Sequence, residues 1–97
     1  MIIVHDIFIC KPGFASKVAK KFKAAMEGME EAVNVLTDMS GQYNKVIMVS
    51  QYESLAAFEK SFEKYKEQSE EVKKMMAAME GYHDMYLTGS REIYQVW

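Results

Sequence analysis

Two ionisable side chains stand next to each other in an otherwise apolar run, His5 and Asp6 within IIVHDIFIC. A carboxylate between Val4, Phe8 and Cys10 is costly unless paired or hydrogen-bonded. Asp6 is therefore either one half of an ion pair, with Arg91 as a candidate partner, or a catalytic pocket residue that takes a proton and orients a ligand. His5 alternates to the other face, beside Ile3, Ile7 and Ile9. Imidazole suits general-base chemistry near neutrality, so His5 is the second catalytic candidate. The competing role is a hydrogen-bonded core or interface histidine.

A second His–Asp pair, His83 and Asp84, follows Gly81. With the last strand antiparallel to the first, His83 falls near the Cys10 end, roughly 15 Å or more from His5 at about 3.3 Å per residue. The two pairs cannot then share one metal, and no metal site is expected. His83 is either a solvated loop residue or part of a pocket rim. Among nine methionines, Met75, Met76, Met79 and Met85 lie close together and could line a malleable pocket, or simply fill gaps in a core. Cys10 has no histidine placed to activate it and reads as an inert buried thiol. Phosphate loops, dinucleotide fingerprints and metalloprotease pairs are missing.

Composition narrows the classes. The chain has 97 residues, 49% hydrophobic, with a net charge of −2. That is one folded domain over residues 1–97, without the basic stripe that nucleic acid demands. One cysteine cannot make an intrachain disulfide or a cysteine-built zinc site. No apolar run reaches the ~18 residues of a membrane span, and the start does not resemble a signal peptide. Cytoplasmic residence is the default expectation.

The elements that must position these residues follow from periodicity. IIVHDIFIC is rich in β-branched and aromatic residues and stops at KPG, which opens a helix. Phe14, Val18, Phe22, Met26 and Met29 form one helical stripe. AVNVLTDM and KVIMVSQY flank a turn-like SGQYN and predict a hairpin. A further seam runs Leu55, Phe58, Phe62, Tyr65, then Val72, Met76 and Met79. One continuous helix over 54–80 would be roughly 40 Å long, too long for a compact domain of this size. The region is expected to split, with Ser54 and Ser69 as N-caps, Glu70 and Glu71 in the second helix's first turn, and Gly81 closing it. MYLTGSREIYQVW completes the chain as a strand, with Gly89 and Ser90 expected at a bulge or kink. The order β-α-β-β-α-β predicts an α+β, ferredoxin-like fold with an antiparallel sheet.

Both faces of these strands are apolar, although the helices can cover only one. Ile3, Ile7 and Ile9 oppose Ile2, Val4, Phe8 and Cys10; Val46, Met48 and Tyr52 oppose Ile47 and Val49. A homodimer packed sheet to sheet would cover the second face, and the closing Trp97 is expected to serve that interface.

CKPGFASKVAKKF, SQYESLAAFEKSF and the aromatic last strand resemble the dimeric α+β-barrel superfamily, most of all its antibiotic-biosynthesis-monooxygenase-like and NIPSNAP-like small domains. The resemblance implies a dimeric barrel and a range of activities, including cofactor-independent oxygenases of aromatic substrates and heme-degrading enzymes. It also implies a polar pocket residue on the first strand, at the position of Asp6. Heme-degrading relatives carry a histidine ligand and a tryptophan on the second helical region. Here those positions hold Glu71 and Ser61, so no cofactor is expected, and heme is left only a route through His83. The expectation is a monooxygenase-like enzyme for a small aromatic or apolar molecule; the alternatives are a noncatalytic ligand-binding module and an interaction protein with a filled pocket. Any pocket should lie between helices and sheet, with Asp6 on its wall near Phe22, Phe58, Phe62 and Met76.

Overall fold

The computed structural model describes residues 1–67 and 69–97. Its elements are β1 (Ile2–Cys10), α1 (Ala15–Met26), β2 (Ala32–Thr37), β3 (Lys45–Tyr52), α2 (Leu55–Lys66), α3 (Glu70–Ala78), a 3₁₀ turn (Tyr82–Asp84) and β4 (Tyr86–Gln95). The four strands form one antiparallel sheet in the order β2-β3-β1-β4. This is the ferredoxin-like α+β arrangement that the element order predicts. No helix among the described residues is long and apolar enough to cross a membrane.

Helix termini fall where the side chains allow them. The Ser54 hydroxyl accepts from the Ala57 amide at 3.1 Å, and the Ser69 hydroxyl accepts from the Val72 amide at 3.3 Å. Each such cap contributes about 1 kcal/mol. Ser69 restarts the helix, with Glu70 and Glu71 favourable to its dipole. Gly81 takes φ 81°, the left-handed conformation that lets the chain turn into the 3₁₀ segment without Cβ strain.

The core lies between α1 and the sheet. Val18 and Phe22 of α1 are fully buried with Cys10 and Val46, and Phe8, Tyr82 and Tyr86 pack around them. Phe22 meets Phe8 edge-on at a centroid distance of 4.9 Å and Tyr82 at 5.8 Å. Side-chain alternation puts Ile2, Val4, Asp6, Phe8 and Cys10 on this covered face, opposite Val46, Met48, Ser50 and Tyr52 of β3. By the same alternation Ile3, His5, Ile7 and Ile9 lie on the other face with Ile47 and Val49, opposite the face on which the α1 core packs.

Three expectations need correction. β2 ends at Thr37 because Asp38 leaves the strand to cap the turn, its Oδ1 accepting from the Lys45 amide at 3.0 Å. Gly89 is no bulge: it pairs in register with Phe8, and the irregularity falls opposite Ile9 and Cys10. An added Cβ there would meet the Phe8 ring at 3.4 Å, an ordinary van der Waals contact, so space does not dictate glycine at that position. β4 stops at Gln95 rather than at the tryptophan. The Val96 amide still donates to the Met1 carbonyl at 3.0 Å, and Trp97 is fully exposed.

Candidate functional site

Asp6 and Arg91 are directly opposed across β1 and β4. Arg91 Nε donates to Asp6 Oδ1 at 2.6 Å. The carboxylate is largely buried, 15% exposed, whereas the arginine side chain is 46% exposed. Two rings of α2 hold the guanidinium in place: Phe58 lies 5.2 Å and Phe62 5.6 Å from its central carbon. Their spacing of four residues stacks them on one helix face, with centroids 5.0 Å apart. An arginine held between a carboxylate and two aromatic faces is well fixed in orientation.

This pair forms one wall of a cavity of about 210 Å³ between the sheet and the helices. Met48, Ser50 and Tyr52 of β3 supply its floor, Ala25, Met26 and Met29 come from α1 and its exit, and Met75 and Met79 from α3 and its C-cap. The side facing α2 is lined by Phe58, Ser61, Phe62 and Tyr65. A cavity survives here because α2 buries none of its side chains fully and stands off the sheet. The lining is apolar apart from Asp6, Arg91 and a few hydroxyls, the usual composition of a small-molecule site. Ser61 is engaged already, its hydroxyl donating to the Phe58 carbonyl. A second cavity of about 260 Å³ adjoins, sharing Ala25, Met29, Ser61, Tyr65 and Met75, with Glu27, Lys64, Glu71 and Lys74 around it. A larger depression, about 760 Å³, is an open groove between α1 and β2 that touches neither Asp6 nor Arg91.

Burial, reinforced by Tyr52, Glu31 and Asp6, pushes the Tyr65 hydroxyl up from 10.0 to about 12. It therefore stays protonated and able to donate at any ordinary pH. Since the folded value is the higher one, the contribution of the neutral phenol is complete below pH 10 and is lost as pH rises through 12. Urea unfolding across that window should show a steeper alkaline loss of stability in the wild type than in Tyr65→Phe. Equal slopes would put the Tyr65 hydroxyl in water.

Of the residues singled out in the sequence, Asp6, Phe58 and Phe62 come together at this cavity. Phe22 lies nearer the Cys10 end, in the packed aromatic core. Met76 is 62% exposed, and Met75 and Met79 face inward instead. Because the helix restarts at Ser69, its inward seam is Val72, Met75 and Met79, out of phase with the α2 stripe. His5 is on the far face, edge-on to Tyr94 at 5.2 Å and cross-strand from Glu92. The Tyr94 hydroxyl donates to Glu92, a bond that raises the tyrosine's pKa. His83 lies in the 3₁₀ turn against Tyr82, 4.1 Å between centroids, and is exposed. Cys10 is buried and free, and burial raises its thiol pKa, which keeps it unreactive.

The sequence leaves open which tyrosine hydroxyl faces the cavity, and it does not single out Ser50 as a lining residue. Tyr65 was legible as part of the α2 seam, but which tyrosine points inward depends on helix phase. Heme does not fit these residues. The positions that the resemblance gives to tryptophan and histidine hold Ser61 and Glu71, His83 lies outside the cavity, and a void of about 210 Å³ is too small for a porphyrin. Among the described residues no group of three or more His, Cys, Asp or Glu could hold a metal ion.

Sheet order, helix placement and cleft together define a ferredoxin-like α+β domain. Comparison with solved structures specifies the relatives. A NIPSNAP family protein from Agrobacterium tumefaciens superposes with a TM-score of 0.76 at 14% identity, over 97% of this chain and 90% of that one. An uncharacterized NIPSNAP domain protein from Burkholderia xenovorans gives 0.76 at 12%, over 100% and 95%. A provisionally named antibiotic biosynthesis monooxygenase from Nitrosomonas europaea gives 0.67 at 9%, over 99% and 98%. The chain thus has the fold shared by the NIPSNAP and antibiotic-biosynthesis-monooxygenase-like proteins, and at these identities the likeness is one of fold. No protein-family model and no curated protein matches it.

Proposed function

We propose that the chain binds a small aromatic or apolar molecule in the cleft beside Asp6 and acts on it as a metal-independent, monooxygenase-like enzyme. The observation that carries this is an ionised pair, Asp6–Arg91, on the wall of a cavity otherwise lined by methionines and aromatic rings. In this reading Asp6 takes a proton from an acidic C–H or O–H of the substrate, and Arg91 steadies the resulting anion. The anion reduces dioxygen, one oxygen atom enters the product as a carbonyl, and the other leaves as water. The fold's likeness to an antibiotic biosynthesis monooxygenase supports the reaction class.

Oxygen uptake with a panel of hydroxylated and quinol-type arenes tests it. Turnover should appear with at least one of them and fall by about 10²-fold or more in Asp6→Ala, the usual contribution of a positioned base. A second reading, noncatalytic ligand binding, is favoured by the hydrogen bond that already engages Asp6 Oδ1. Saturable binding without oxygen uptake would select it.

The same proposal includes a homodimer at micromolar concentration, packed through the uncovered sheet face of Ile3, Ile7, Ile9, Ile47 and Val49. Light scattering after size exclusion should then give twice 11.2 kDa, and a peak at 11.2 kDa itself would overturn the assembly. Trp97→Asp offers a sharper check. Trp97 is fully exposed within the protomer, so a loss of dimer or of melting temperature in that variant must arise between subunits. An unchanged dimer with unchanged melting would place the tryptophan in solvent.

A further inference from the structure

We infer that the ligand of the Asp6–Arg91 cavity is an uncharged, single-ring aromatic carrying a hydrogen-bond donor and an acceptor on one carbon, as in an aryl carboxamide. This rests on the binding reading above and names its ligand class.

Size sets the first limit. A void of about 150 Å³ takes benzene, and this cavity measures about 210 Å³. One ring with a short substituent fills it. A three-ring system does not, as long as Tyr65 and Met75, which line both this cavity and its neighbour, keep their places.

The polar corner sets the second. Arg91 reaches Asp6 through Nε and Oδ1 alone. Among the described residues, both terminal nitrogens of Arg91 and Oδ2 of Asp6 make no hydrogen bond. The corner therefore presents donors and an acceptor side by side on one wall. An apolar ring would desolvate both and leave them unpaired, which is costly for charged groups. A carboxylate could use the arginine but would meet the negative Asp6 in a low-dielectric cavity. A carboxamide meets each half with its complement, its N–H donating to Asp6 Oδ2 and its C=O accepting from an Arg91 terminal nitrogen, and it adds no charge. Phe58 and Phe62, 5.0 Å apart over the same corner, offer edge or face contacts to the ring.

Isothermal titration of the whole chain with benzamide, benzoate, ethylbenzene and anthrone decides it. Benzamide should bind at least tenfold more tightly than the other three. Asp6→Asn should reverse the order of the first two: with the negative charge gone, Arg91 stands alone and benzoate should overtake benzamide by tenfold or more. That reversal cannot come from a simple loss of folding. Benzoate binding the wild type as tightly as benzamide, equal binding by ethylbenzene, or tight binding of anthrone would overturn this ligand class while leaving the small-molecule reading intact. If none of the four binds at millimolar concentration, both fall.

Discussion

Phe22→Ala is expected to cost about 3–5 kcal/mol of folding stability, the range for removing a buried phenylalanine that leaves a cavity. Several features place it at the upper end. Phe22 is fully buried, it sits edge-on to both Phe8 and Tyr82, and its neighbours Val18, Cys10 and Val46 are themselves buried completely. For a domain of this size the melting temperature should fall by more than about 12 °C, at ~4–8 °C per kcal/mol. Phe62→Ala makes the contrast. Phe62 is 40% exposed and borders a cavity already present, so its loss should shift the melting point much less. Similar shifts in the two variants would mean that the core does not lie under α1.

That contrast shows what could be read before any coordinates. The stripe Phe14, Val18, Phe22, Met26 predicts a buried face for α1, and burial of Val18, Phe22 and Met26 follows. Helix starts at Ser54 and Ser69 were equally legible, because a capping hydroxyl is a local device and needs no distant partner. The third strand was legible to the residue, Lys45–Tyr52, since β-branched residues run between two turn signals. What resisted reading depends on how elements slide and rotate past one another. Phe22 and Phe58 belong to equally apolar stripes, yet one fills the core and the other faces a void. The difference lies in where α1 and α2 cross the sheet. Met75 replaces Met76 at the cavity through a change of helix phase at Ser69, and no period extended from α2 carries across that break. Glycine weakens strands in general, which suggests a kink at Gly89; its in-register partner Phe8, 81 positions away, keeps it in the ladder. The Asp6–Arg91 pair is the exception: it joins opposite ends of the chain, yet a carboxylate in an apolar strand calls for a cation, and the last strand offers Arg91.

Arg91→Met is the substitution expected to affect the site most. Removing the guanidinium leaves a carboxylate at 15% exposure without its 2.6 Å partner. Breaking a fully buried pair costs about 3–5 kcal/mol, whereas a surface pair is worth less than about 1. Arg91 is 46% exposed, so water reaches the pair from its side and the cost should be intermediate, about 1–2 kcal/mol. Methionine keeps much of the stem's contact with Phe58 and Phe62, which confines the loss to the charge. Asp6→Leu alone should cost less, because the arginine it frees can turn to solvent. The double variant Asp6→Leu/Arg91→Met removes both charges and fills the space with apolar atoms, and it should regain most of the wild-type stability. Chemical denaturation of the four proteins measures the coupling directly. Additive losses would mean that the pair holds nothing together in solution. Binding should behave differently from stability. All three variants should lose at least tenfold in affinity for the cavity ligand, about 1.4 kcal/mol, the double variant included. In that variant the fold is restored and the apolar lining remains, so affinity that is lost while stability returns belongs to the polar corner itself. A double variant that binds as tightly as the wild type would reduce the Asp6–Arg91 pair to a structural tie between β1 and the edge strand β4.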